Sequence, residues 1–101
     1  MSLSELERKF TEYYSKEFES KESDSQANYA LRNEALNLYT TAVNIGDSEL
    51  ANNIIELIAK NTGCKEDIDI FVKLSEPLKS EGIITEEQIN NVINQGVSRW
   101  S

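Results

Sequence analysis

The chain has 101 residues, enough for one domain with its own core. It contains no histidine and a single cysteine, Cys64, which excludes Ser-His and Cys-His nucleophile pairs, imidazole metal sites, an internal disulfide and a thiolate cluster. Eighteen acidic residues against ten basic give a net charge of −8, an excess that phosphate backbones and anionic membranes repel.

The acidic excess is spread along the chain, with no acidic tail and no basic stripe. A hydrophobic share of 39% is too high for a disordered chain. Four glycines and one proline are too few for a turn-rich β design. No apolar run has the length of a membrane span, and Met1–Phe10 lacks a signal-peptide core, so a cytoplasmic protein is expected. Ten asparagines and ten isoleucines are the usage of an AT-rich genome, such as a bacterial or phage one.

Helix one is expected from about Leu3 to Lys21, capped by Ser2 with Glu5 or by Ser4 with Glu7. Leu3, Leu6, Phe10, Tyr13, Tyr14 and Phe18 recur every three or four residues and form one stripe. Glu5–Lys9, Glu12–Lys16 and Glu17–Lys21 are i,i+4 pairs with the acid first. Glu19 to Gln26 is polar and reads as a connector, with Ser23 or Ser25 capping the next element.

Helix two is expected from about Gln26 to Asn44. Ala27, Leu31, Ala35, Leu38, Ala42 and Ile45 share a face, widened by Tyr29, Leu36, Tyr39 and Val43. So wide an apolar arc predicts contacts on two sides, hence a central helix. Gly46 ends it and Asp47 caps helix three, Ser48 to Lys60, with Leu50, Ile54, Leu57 and Ile58 inward.

Gly63 closes helix three, and helix four begins near Lys65 with Glu66 and Asp67 suiting the positive end of its dipole. Ile68, Phe71, Val72, Leu74 and Leu78 are its core positions. Pro77 predicts a break or kink near Ser75, then a short extra turn to Ser80. Past Gly82, Thr85 with Gln88 spells a capping box and Ile84 with Ile89 a hydrophobic staple. Ile89, Val92, Ile93, Val97 and Trp100 give helix five its stripe across Gly96.

The expected fold is therefore all-α: one domain over 1–101, a compact bundle or orthogonal packing of about five helices with helix two central.

Between helices three and four, Ala59 followed by Gly63 and a new helix resembles the turn of helix-turn-helix DNA-binding proteins. The resemblance covers Glu56 to Ser75 and implies a recognition helix at Lys65, with Lys60, Lys65, Lys73 and Arg99 as its basic face. Asp69 stands where that family buries an apolar residue, and Glu66, Asp67 and Asp69 would face the groove. Pro77 to Gln88 places Gly82 and Ile84 as a calcium loop does, but Pro77, Lys79 and Gln88 fill its chelating positions. Cys64 opens helix four, where a dipole can stabilise a thiolate; the plainer reading is a small packed residue.

No catalytic, cofactor or metal-binding residue is assigned, and no cofactor is expected. The function expected is a non-catalytic protein-interaction module: an adaptor, regulator, immunity factor or inhibitor. Its partner would be another protein, one with a basic surface; nucleic acid and membrane are disfavoured, and homodimerisation through helix one is a further option. Tyr13, Tyr14 and Trp100 are the candidate protein-binding residues, weighed against a core role for the helix-one aromatics. The alternative is a helix-turn-helix transcriptional regulator.

Overall fold

A computed structural model describes residues 2–20 and 25–100, with side chains described for 2–15 and 25–98. The described residues form five α-helices and no strand: α1 Leu3–Ser20, α2 Ser25–Asn44, α3 Ser48–Lys60, α4 Lys65–Ser80 and α5 Glu86–Trp100. None is long and apolar enough to cross a membrane. The expected connector residues Lys21 to Asp24, including Ser23, lie outside the described residues, as do the side chains of Lys16, Glu17, Phe18, Arg99 and Trp100.

The helix ends follow local chemistry. The Ser2 hydroxyl accepts from the Glu5 backbone N–H (3.2 Å), so the first of the two expected caps is the one formed. Asp47 accepts from the Leu50 N–H (3.0 Å), just after Gly46 turns the chain at φ +79°. Thr85 and Gln88 cap reciprocally: the Gln88 N–H donates to the Thr85 hydroxyl (3.1 Å), and the Thr85 N–H to the Gln88 side chain (2.9 Å). The staple residues Ile84 and Ile89 are both buried.

Helix two is central, packing against α1, α3 and α4. Helix α5 closes the far side by packing on α3 and α4, so α2, α3, α5 and α4 form a ring of four. Helix α1 lies across α2 and α3, outside that ring. Leu6, Phe10, Tyr39, Ile54, Ile58 and Phe71 are among the largest fully buried side chains, each contributing about 1.5–3 kcal/mol by leaving water.

Three expectations need correction. Helix α4 continues through Pro77 to Ser80. Proline's fixed φ suits a helix, and its costs are a missing N–H and the crowding of its ring against the carbonyl four residues back; here Pro77 is exposed and one turn from the end, where water meets the freed carbonyl. Ile45 and Tyr29 are 70% and 42% exposed, not inward. The buried arc of α2 runs through Asn28, Leu31, Arg32, Ala35, Leu36, Tyr39 and Ala42; it is narrower than the apolar face the sequence suggests and takes in two polar residues. The expected Glu5–Lys9 pair also differs: Lys9 reaches across to Glu34 on α2 (3.0 Å), and Glu12 meets Arg8 (3.7 Å), while the Glu12–Lys16 and Glu17–Lys21 pairs involve side chains outside the described residues.

Candidate functional site

The concentration of titratable chemistry lies inside the molecule, where α1, α2 and the α3–α4 turn meet. Arg32 and Asn28 project inward from α2, one helical turn apart, and Asp67 projects from the first turn of α4; all three are buried. The guanidinium meets the Asp67 carboxylate at 3.2 Å. Asp67 also accepts from the Asn28 amide (2.7 Å), the Gly63 backbone N–H (3.0 Å) and the Tyr14 hydroxyl (2.8 Å).

Tyr14 receives a hydrogen bond from Arg32 Nη2 (2.9 Å) and shares its own proton between Asp67 and the carbonyl of Asn61, the residue after α3. Arg32 donates to that same carbonyl, and its guanidinium carbon lies 5.4 Å from the centre of the Phe10 ring. One carboxylate and one guanidinium thus join four segments of chain.

Burial alone would push the Asp67 carboxyl up. The Arg32 charge and the bonds from Gly63, Asn28 and Tyr14 outweigh it, holding the acid below its ordinary range. Burial raises the Tyr14 phenol well above its usual value, so it stays a neutral donor. Three buried polar atoms of the cluster, Arg32 Nε, Arg32 Nη1 and Asn28 Oδ1, have no hydrogen-bond partner among the described residues. The arrangement anchors α1 and the α3–α4 turn to α2 through Arg32 Nη2 and the Asp67 carboxylate, each of which meets groups from several segments.

The residues proposed for protein binding fall as follows. Tyr13 is buried with Leu6 and Phe10, its ring edge-on to that of Tyr14 at 5.0 Å. Tyr14 is half-buried and belongs to the polar anchor. Trp100 ends α5, and its side chain lies outside the described residues. The structure brings Tyr13 and Tyr14 together but turns them toward the interior.

The helix-turn-helix pattern does not become that unit. Ala59 is fully buried, yet α3 and α4 do not pack against each other; they occupy opposite corners of the four-helix ring. Lys60, Lys65 and Lys73 are exposed among Glu56 and Asp69. Cys64 precedes α4 with an exposed residue surface, but partial burial of the thiol raises its pKa despite a backbone N–H from Asp67. Among the described residues no group of three or more carboxylates or thiols could hold a metal ion.

Two surface features remain. A shallow groove of about 290 Å³ runs between α1 and α2, floored by Tyr13, Ala27, Ala30 and Leu31 and bordered by Lys9, Glu12 and Glu34. Among the described residues, exposed carboxylates stand on α1, α3, α4 and α5.

No family model, no curated protein and no solved structure matches this chain.

Sequence reasoning missed Arg32 and Asn28. Their signal was a row rather than a motif: residues 28, 32, 35, 39 and 42 step by four and three, so the two polar residues continue the line of Ala35, Tyr39 and Ala42. Likewise Asp67 stands one turn before Phe71 and two before Ser75, all buried.

Proposed function

We propose that this chain is a non-catalytic protein-interaction module of the cytoplasm, whose partner presents a basic surface. The observation that carries this reading is where the charge sits. The Arg32–Asp67 pair cancels inside the core, so the net −8 of the chain is carried by its other charged residues. Exposed carboxylates stand on α1, α3, α4 and α5, among them Glu5, Glu12, Glu49, Asp69, Glu86 and Glu87. A field of that sign steers a cationic partner into encounter and rejects anionic ones.

The interior supports the same reading from the other side. Its acid and phenol, and Nη2 of its guanidinium, join one helix to another in the interior. A lone exposed thiol suits a reducing compartment.

The test is capture of a partner on the immobilised chain in host extract, then calorimetry with both proteins purified. Affinity should fall at least tenfold between about 50 and 500 mM salt, because that range shortens the screening length severalfold. Reversing Glu86 and Glu87 to lysine, or Glu5 and Glu12, should slow association with at least one of the two variants. A purified complex indifferent to both salt and charge reversal refutes the reading.

A further inference from the structure

We propose that the buried Arg32–Asp67 anchor is also the binding site of one internal water molecule, which accepts from the Arg32 guanidinium and donates to the Asn28 side-chain carbonyl. The reason begins with how unevenly the guanidinium is used. Its Nη2 meets the Tyr14 hydroxyl (2.9 Å), the Asn61 carbonyl and the Asp67 carboxylate (3.2 Å). Its Nε and Nη1 meet no acceptor among the described residues, although Arg32 is wholly buried. One nitrogen takes every partner, and the donors of the other two are left without one. Asn28 repeats the pattern with the opposite sense. Its amide nitrogen donates to Asp67 (2.7 Å), while its buried Oδ1 accepts from no described group.

These atoms belong to one neighbourhood. Asn28 and Arg32 stand four residues apart on α2, so their side chains leave the same face of the helix one above the other. Both reach the same carboxylate, Asn28 at Oδ1 of Asp67 and Arg32 at its Oδ2. That shared partner holds amide and guanidinium side by side. Donors without an acceptor therefore lie beside an acceptor without a donor.

The chemistry of the occupant follows from that mixture. An anion would suit the guanidinium, but Asn28 Oδ1 and the Asp67 carboxylate repel it, and Asp67 already neutralises Arg32. A cation is repelled by Arg32 itself. An apolar group would leave all three atoms desolvated and unbonded. The Phe10 ring, whose centre lies 5.4 Å from the guanidinium carbon, attracts the charge as a whole. A ring face is only a weak acceptor for single N–H groups and offers nothing to Asn28 Oδ1. Water accepts and donates at once, and buried waters in proteins typically bond to polar groups that have no other partner. Its role here is to complete the anchor, so that α2 carries an internal charge without stranding the rest of the guanidinium.

The direct test is a crystal structure of the full-length chain at a resolution that shows ordered water. Density for one water is expected within about 2.7–3.2 Å of Asn28 Oδ1 and of Arg32 Nε or Nη1, as well ordered as the side chains around it. Crystals soaked in bromide should show no anomalous peak at that place. In solution, the Arg32 Nε–H of ¹⁵N-labelled protein should give a cross-relaxation peak with water, of the sign that marks a long-lived molecule. That peak should survive Tyr14→Phe, which removes the hydroxyl bonded to Arg32, and disappear in Asn28→Leu, which removes the acceptor at similar size. A bromide peak, a water held by Arg32 without Asn28, a signal that vanishes with the Tyr14 hydroxyl, or Nε and Nη1 packed against protein atoms alone would each overturn the proposal. Should Asn28→Leu fail to fold, the wild-type density decides.

Discussion

Replacing Asp67 by Asn keeps the shape of the buried anchor and removes its charge. Arg32, wholly buried, then has no anion, and one oxygen that accepted hydrogen bonds becomes an NH₂ that opposes a donor. Asp67 accepts from three groups, Tyr14, Asn28 and Gly63, and pairs in charge with Arg32. An uncompensated buried charge costs about 3–5 kcal/mol, a large part of the roughly 5–15 kcal/mol that holds a domain together. With a urea slope near 1.5 kcal/mol/M, the midpoint should fall by about 2–3 M.

The assay is urea unfolding followed by circular dichroism at neutral pH. The double variant Arg32→Met with Asp67→Asn should recover at least half of the loss, since no charge is then stranded. The acid limb gives a second check. The Asp67 pKa is lower in the folded chain, so its stabilisation is present above the unfolded value of about 4 and disappears as pH falls through the folded one. The stability difference between wild type and Asp67→Asn should therefore shrink below about pH 4. A loss under about 1 kcal/mol for the single variant, or strictly additive losses in the double, would refute the view that the pair is a sealed, interdependent anchor.

Gly96→Ala should destabilise the chain although alanine is the better helix former. Its Cβ would lie 2.7 Å from Thr62 Cγ2 and 3.3 Å from the Thr62 carbonyl, and Thr62 is buried with its hydroxyl bonded to Ile58 (2.7 Å). We expect a net loss of about 1–3 kcal/mol by thermal melting, partly restored by Thr62→Ser, which removes the opposing methyl. Tyr14→Phe should cost about 1–3 kcal/mol, because Arg32 and Asn61 lose a shared partner. It should also remove from the 295 nm titration a phenol that in the wild type stays protonated well above pH 10; its raised pKa contributes stability that is fully present below the unfolded value of about 10 and is lost as pH rises from there through the folded one. Cys64 should alkylate more slowly at pH 7 than an unhindered thiol and accelerate as pH rises, since burial disfavours its thiolate; fast alkylation at neutral pH would contradict this.

The sequence by itself determined the helices and their ends. Capping depends on neighbours three residues apart and glycine turns on a single φ, so Ser2, Asp47, Gly46 and the Thr85–Gln88 box were legible before any fold was known. The width of the apolar arc on α2 likewise announced its central place. Tertiary structure alone decided which part of that arc is buried and which polar residues join it. Arg32 counts as polar in any periodicity, and only the arrival of Asp67 from α4, Tyr14 from α1 and Asn61 after α3 makes it a core residue. It decided, too, that Tyr13 and Tyr14 face inward and that α3 and α4 stand at opposite corners. Those outcomes depend on groups 18 to 53 residues apart meeting in one place, and the energy of such a meeting is written in no local stretch of chain.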